Sequence, residues 1–277
     1  MGMPLAGHLA RAGLLSAVWN RSAGKAHTAA KAFGVVAPES LADIAPLANV
    51  IVLCVSADSD VLAVVETLAP HLQQGSVIVD HSTVSSVTAN TARKIARANG
   101  SEFIDAPVSG GVEGAKNGKL SVMVGGDSEA LERVRPALEC YAAKITHMGD
   151  IGAGQNTKAV NQVLVAGIAQ AVCEGLALGE KLGLDPAALL PTLGAGAAGN
   201  WFLDKRGATM LRDEFSVGFK LALLYKDLMI VRGLAEQAGV SHPVIDQSLA
   251  DCAALMERGH GEEDISALIR LKRGQAS

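Results

Sequence analysis

The sequence predicts an α/β domain with a doubly wound, mostly parallel sheet over residues 1–150, followed by an all-helical domain over residues 151–277. Three observations predict it. Short runs rich in branched residues alternate with helical runs between residues 17 and 148. The alternation stops at Gly149. An unusually long helical run, residues 152–184, then begins, and no convincing strand pattern follows it.

Taken in order, MGMPLAGHLARAG (1–13) reads as a helix already under way, and AVWN (17–20) is a strand candidate. KAHTAAKAFG (25–34) predicts a short helix stopped by glycine, and ESLADIAPLA (39–48) a helical segment. NVIVLCVS (49–56) has the continuous branched content of a buried parallel strand. DSDVLAVVETLAPHL (58–72) is helical, SVIVDHST (76–83) is a strand ending in polar residues, and VSSVTANTARKIARANG (84–100) is a helix with a glycine stop. SEFIDAPVSGG (101–111) runs from a short strand into a Gly/Ser loop. KLSVMVGG (119–126), SEALERVRPALECYA (128–142) and KITHMG (144–149) then give strand, helix, strand.

Beyond Gly149 the helical runs are 152–184, 185–196, 201–211, 216–240, 242–261 and 264–273. Asp185-Pro186 is a strong start, because proline at the first helical position lacks only an N–H that would be unpaired anyway. The long run is expected to form the spine between the two domains.

At 277 residues and 28.4 kDa the chain can bury a sizeable core, and 49% hydrophobic content excludes disorder for its bulk. A net charge of -4 and a pI near 6.0 leave no electrostatic footprint for nucleic acid or an anionic membrane. Cys54, Cys140, Cys173 and Cys252 are scattered without metal-ligand spacing and read as reduced thiols, so no metal site is expected. The expected setting is cytoplasmic, since no basic start precedes a long apolar segment and charged or amide residues interrupt the alanine-rich helix.

In an open parallel sheet, ligands bind beyond the carboxyl ends of the strands. Those ends carry Asn20-Arg21-Ser22, Val55-Ser56, His81-Ser82-Thr83 and Ala106-Pro107-Val108-Ser109-Gly110-Gly111. A site selecting NAD usually has an acidic residue at the end of its second strand. Here Asn20 is followed by Arg21, which can fork onto a 2′-phosphate, so a dinucleotide bound here is expected to be NADP. A solvated arginine opening a helix is the alternative. Ser109-Gly110-Gly111 offers a hydroxyl and backbone N–H groups to a carboxylate or phosphate, or is a plain turn.

Lys158 and Asn161 share a helix face near the start of the long run. A lysine partly withdrawn from water can give or take a proton, and an amide beside it can orient it; a surface lysine is the plainer reading. Lys226-Asp227 interrupts an apolar stripe, as a charged pair at a cleft or an interface would. Trp201 and Phe202 line a pocket or pack in the core.

Together these motifs resemble the β-hydroxyacid dehydrogenase family over essentially the whole length. That family includes 3-hydroxyisobutyrate dehydrogenases, tartronate semialdehyde reductases and glyoxylate/succinic semialdehyde reductases. The resemblance implies a Rossmann-type domain followed by a helical domain of the 6-phosphogluconate dehydrogenase C-terminal type. Asp105 to Gly111 looks like the substrate signature, Gly152-Ala153-Gly154 through Lys158 to Asn161 like the catalytic signature, and Lys226-Asp227 like the family's Lys-Asp pair. It implies Lys158 as general acid/base, with Asn161 positioning it. Ser109, Gly110, Gly111, Lys226 and Trp201 are then expected around a small carboxylate-bearing substrate. Gly2, Met3, Asn20, Arg21, Ser22, Val55, Ser56, Thr83, Phe219, Lys226 and Asp227 are expected around NADP. A homodimer or homotetramer through the helical domain is the implied assembly.

Three departures stand beside the resemblance. Gln162 replaces the family's second asparagine, and Val55-Ser56 replaces a hydrophobic-proline pair. Met1-Gly2 matches only the end of a Gly-x-Gly-x-Met-Gly fingerprint, with Gly2 read as the glycine of close helix–strand packing. The expectation is that a first strand is missing and that NADPH binds this chain poorly. An impaired or non-catalytic homologue is one alternative. Imine reduction is another, and retention of Lys158 argues against it.

Overall fold

The computed structural model describes residues 1–274. They form two compact units, Met1–Lys158 and a second from Ala159 onward, and the dividing line falls inside one helix.

In the first unit, α1 (Gly2–Arg11) and α2 (Ala23–Phe33) precede a mixed sheet. Its strands are β1 (Val50–Leu53), β2 (Val77–Asp80), β3 (Glu102–Asp105), β4 (Val108–Ser109), β5 (Leu120–Gly125) and β6 (Ala142–Gly149). The order is β1-β2-β3-β5-β4, with β6 also on β5. β1, β2 and β3 are parallel, with Val50 opposite Val77 and Val77 opposite Glu102. β5 runs antiparallel to β3 and β4, and β6 parallel to β5. The chain reverses here because β4 and the short helix α5 (Gly111–Lys116) fold it back on itself instead of carrying it across the sheet.

Alternation along the strands builds the two faces. Val77 and Val79 of β2 join Leu5 and Leu9 of α1 and Leu131, Val134 and Leu138 of α6 (Ser128–Glu139). Ile78, between them, faces the other way, toward Val61 and Val65 of α3 (Asp58–Leu68) and Ala89, Ala92 and Ala96 of α4 (Ser86–Ala98). The small side chains of α4 let it lie close to the sheet. Helices on both faces make the domain doubly wound.

Two early elements differ from the sequence reading. AVWN does not form a strand: only Ala17 bridges, in parallel, to Val36. A strand needs a ladder of partners, and beside that bridge the described bonds give only one, from the Val18 N–H to the Val36 carbonyl at 3.0 Å. The 39–48 segment is helical only as a 3₁₀ stretch, Ala42–Leu47, since Pro46 lacks the N–H that an α-helix would use.

The second unit continues α7 (Ala153–Lys181) and adds α8 (Pro186–Ala195), α9 (Trp201–Leu211), α10 (Leu221–Ala238), α11 (Pro243–Glu257) and α12 (Ile269–Lys272). Asp185 caps α8 by accepting from the Ala187 N–H, ahead of Pro186. By length and composition α7 could cross a membrane. One face of it, with Ala166, Ala169, Cys173 and Leu176, instead builds the unit's core with Met210, Leu224, Leu228 and Leu249. Phe202 belongs to that core as well.

Candidate active site

The end of β3 and the start of α7 are joined through one carboxylate. Asp105 is buried, and its Oδ1 accepts from the Gly152 N–H at 2.7 Å and its Oδ2 from the Gln155 N–H at 2.8 Å. The first N–H groups of a helix lack partners within it, and a negative charge there also complements the helix dipole. Burial pushes the Asp105 carboxyl pKa up, and the amide bonds offset part of that rise. Gly154 makes the approach possible, because a Cβ there would overlap the Met123 carbonyl oxygen and lie 2.8 Å from Asp105 Oδ2.

The end of β2 is held from several sides. Ser82 donates its N–H to Asp80 Oδ1 at 2.9 Å, and its Oγ accepts from the Val55 N–H at 2.9 Å. This bond ties the Val55-Ser56 rim without the family's proline. The Gln155 amide spans Thr83: its Nε2 donates to the Ser82 carbonyl at 2.8 Å, and its Oε1 accepts from the Val84 N–H at 3.2 Å. His81 donates from Nδ1 to the Ala106 carbonyl at 2.5 Å and accepts at Nε2 from the Tyr141 hydroxyl at 2.8 Å. Complete burial pushes the His81 pKa down to about 4, so the neutral ring fits this pattern. Burial also raises the Tyr141 hydroxyl pKa, keeping the donor protonated.

Lys158 is the sixth residue of α7. It is only 7% exposed, and its Nζ donates to the Val108 carbonyl at 2.9 Å. Ser109 is the next residue along β4, and Gly110 and Gly111 follow with φ of 127° and 62°. Side chains rarely adopt such angles, and a Cβ on Gly110 would meet Leu120 at 3.2 Å. The first unit therefore brings Thr83, Ser109, Gly110, Gly111 and Lys158 onto segments held together by Asp105 and Gln155. Neither of those two was singled out as a site residue by itself. An acidic residue closing a strand, with a Gly-x-Gly helix start downstream, was the available signal.

At the other rim position, Asn20 Oδ1 accepts from the Ser22 N–H at 2.9 Å, and Ser22 begins α2 without a side-chain cap bond. Arg21 is 86% exposed along its side chain and pairs with Asp60 Oδ1 at 3.4 Å. Met3 is exposed. Among the described residues, a Cβ on Gly2 would meet nothing within 4 Å. The glycine of α1 that does meet a neighbour is Gly7, whose Cβ would lie 3.4 Å from the Phe33 ring.

In the second unit, the Asn161 amide donates to Gln162 Oε1 at 2.8 Å, and Gln162 Nε2 donates to Asp227 Oδ2 at 2.8 Å. Lys226 Nζ pairs with Asp227 Oδ1 at 2.8 Å. The longer amide of Gln162 thus bridges Asn161 to the Lys-Asp pair. Phe219 is half-buried against the helical core, and its N–H donates to Asp264 Oδ2 at 3.0 Å. Trp201 is exposed, with the Arg206 guanidinium 5.5 Å from its ring centroid, so it does not pack in the core.

A Rossmann-type sheet with a carboxylate-bonded glycine loop and a buried lysine, followed by a helical domain, defines a nicotinamide-dependent oxidoreductase of the hydroxyacid type. Comparison with known proteins gives the family. Residues 1–149 match the NAD binding domain of 6-phosphogluconate dehydrogenase, and residues 152–272 match the NAD-binding domain of NADP-dependent 3-hydroxyisobutyrate dehydrogenase. The 2-hydroxy-3-oxopropionate reductase of Escherichia coli is 33% identical over 276 residues, covering 98% of this chain and 93% of its own. The NAD-dependent L-serine dehydrogenase of Pseudomonas aeruginosa is 34% identical over 284 residues, covering 98% and 94%. Among solved structures, Mycobacterium tuberculosis 3-hydroxyisobutyrate dehydrogenase with L-serine superposes with a TM-score of 0.87 at 30% identity, over 99% of this chain and 96% of that one. The chain belongs to the β-hydroxyacid dehydrogenase family.

Proposed function

We propose that this protein transfers a hydride between NADP(H) and a small β-hydroxyacid or its semialdehyde or oxoacid, of the 3-hydroxyisobutyrate, 2-hydroxy-3-oxopropionate or glyoxylate/succinic semialdehyde type. The observation that carries this reading is Lys158, buried and bonded through Nζ to the carbonyl one residue before Ser109. A lysine so placed is within reach of a substrate whose carboxylate rests on the Ser109 hydroxyl and the Gly110 and Gly111 backbone.

The donor set around residue 21 fits the 2′-phosphate of NADP. Arg21 presents a guanidinium mostly to water, Ser22 carries a hydroxyl not engaged in capping its helix, and neither Asn20 nor Ser22 adds negative charge. When bound, the nicotinamide supplies or accepts the hydride. The chain does the rest. Ser109 and its glycines orient the carboxylate, Thr83 borders the nicotinamide, and Lys158 Nζ gives a proton to the carbonyl oxygen in reduction and takes it back in oxidation. On the strength of the signature match, Asn161, Lys226, Asp227, Phe219 and Trp201 are the functional residues proposed for the second unit. Val55 and Ser56 border the cofactor at the end of β1, and Gly2 and Met3 at the start of α1.

Val160, Leu164 and Ile168, spaced by four along α7, leave an apolar stripe exposed in the second unit. That stripe supports assembly as a homodimer or homotetramer through the helical domain. Four free cysteines suit a reducing, cytoplasmic setting.

The test is a reduction assay with NADPH and with NADH against glyoxylate, succinic semialdehyde, tartronate semialdehyde and methylmalonate semialdehyde. Turnover of at least one substrate, with kcat/KM about tenfold or more higher for NADPH, is expected. No turnover with either cofactor overturns the reading, and equal or better use of NADH overturns the NADP assignment alone.

A further inference from the structure

Gln155 takes no part in the roles assigned so far, yet it is buried among them. Its side chain spans three consecutive residues, donating to the Ser82 carbonyl and accepting from the Val84 N–H. The residue between those two peptides is Thr83. The backbone N–H of Gln155 donates to Asp105 Oδ2, within the same set of bonds that starts α7. One residue thus connects the turn bearing Thr83, the carboxylate at the end of β3 and the first turn of the helix that carries Lys158.

A buried amide meets both demands because it holds a donor and an acceptor on one planar group. No apolar side chain would replace it without leaving the Ser82 carbonyl and Val84 N–H to find other partners. The surrounding bonds leave this turn little freedom. Ser82 is held by Asp80 and Val55, and His81 by Ala106 and Tyr141.

Resting on the oxidoreductase reading, we infer that Gln155 is a positioning residue for hydride transfer: by clamping the peptides on either side of Thr83, it sets that residue against the nicotinamide and ties its place to the helix of Lys158. Gln155 touches neither substrate nor cofactor in this role. Its loss acts on the reaction step more than on binding.

Gln155→Glu makes the decisive variant. Ionised, it keeps an acceptor for Val84 but has no donor for Ser82, and it faces the Ser82 carbonyl with negative charge. Protonated, the carboxyl reproduces the amide pattern, with O–H donating to Ser82 and C=O accepting from Val84. Burial disfavours the ionised form and moves its titration toward neutral pH. Gln155→Met, similar in length, loses both bonds.

The experiment measures kcat, KM and the primary isotope effect with nicotinamide deuterated at C4, from pH 5.5 to 8.5, for wild type and both variants. Expected at pH 8 is a fall in kcat of about ten- to hundredfold, a KM change under about threefold, and a larger isotope effect on kcat. Relative to wild type, Gln155→Glu recovers activity as pH falls, whereas Gln155→Met does not. Should Gln155→Met fail to fold, the pH recovery of Gln155→Glu carries the test. Variants that keep kcat within about twofold, or a Gln155→Glu deficit that does not change with pH, overturn the proposal. A wild type inactive on the whole substrate panel overturns the oxidoreductase reading, and this proposal with it. An active wild type with indifferent variants overturns this proposal alone.

Discussion

Lys158 Nζ donates to the main-chain carbonyl of Val108 at 2.9 Å, which fixes the ammonium beside the strand that ends in Ser109. In the proposed reaction this nitrogen carries the proton that is delivered to the carbonyl oxygen. Lys158→Met removes that proton while preserving most of the apolar stem. It is expected to lower kcat about 10²- to 10⁴-fold with little change in the affinity for NADPH, measured by steady-state kinetics and by fluorescence titration of the cofactor. Near-full turnover would remove Lys158 from the acid/base role.

Arg21 and Asp60 form an exposed pair, so each is only weakly committed to the other. Arg21→Ala should raise the KM for NADPH about tenfold or more and leave that for NADH within about twofold. Asp60→Asn releases the guanidinium and should lower the NADPH KM by a few-fold. A matched loss for both cofactors in Arg21→Ala would mean that residue 21 does not read the 2′-phosphate.

Gln162 reaches Asn161 through its oxygen and Asp227 through its nitrogen. An asparagine at that position is one methylene shorter and cannot make both bonds from the same backbone. Gln162→Asn is expected to cost about 1 kcal/mol of stability in urea unfolding and to reduce kcat several-fold. The double change Gln162→Asn with Asp227→Glu, which returns the methylene from the opposite side, should recover part of both. No coupling between the two sites would argue that the bridge carries no weight.

His81 gives a pH signature. Its pKa is about 4 in the fold, lowered by burial, against about 6.5 when unfolded. The unfolded chain therefore binds the proton first as pH drops. The neutral ring's contribution is fully present above pH 6.5, declines between 6.5 and 4, and levels off below. Wild type should lose on the order of 2–3 kcal/mol from this group between pH 7.5 and 4.5, a loss that His81→Gln lacks. Parallel stability curves for the two proteins over that range would exclude His81 as the source of acid sensitivity.

Two glycines predict opposite outcomes. Gly154→Ala forces a methyl against the Met123 carbonyl and the Asp105 carboxylate, and should destabilise the protein by about 3 kcal/mol or more. Gly2→Ala has open space and a helical backbone, so thermal melting should show a Tm unchanged or slightly raised. A mild Gly154→Ala would mean that β3, β5 and α7 are free to separate.

Much of this protein was legible from order and spacing. The alternation of branched and helical runs, ending at Gly149, determined the class of both domains, because burial on two faces leaves a periodic trace. The signatures around Ser109 and Lys158 determined the family for a related reason: their chemistry needs particular side chains at short intervals along the chain. AVWN looked like a strand by composition, but a strand exists only where a neighbour supplies its hydrogen bonds. Only Ala17 has such a bridge.

What the tertiary structure alone decided is how separate segments are held to one another. Asp105 accepts from residues 47 and 50 positions later, and Gln155 clamps a turn more than 70 positions earlier. Contacts at such separation leave no period in the sequence. They depend on where the sheet places the ends of β2 and β3 and on how closely a glycine lets α7 approach. The sequence by itself determined which groups the protein carries. The buried bonds of Asp105, His81 and Gln155 determine the geometry in which Thr83, Ser109 and Lys158 are held.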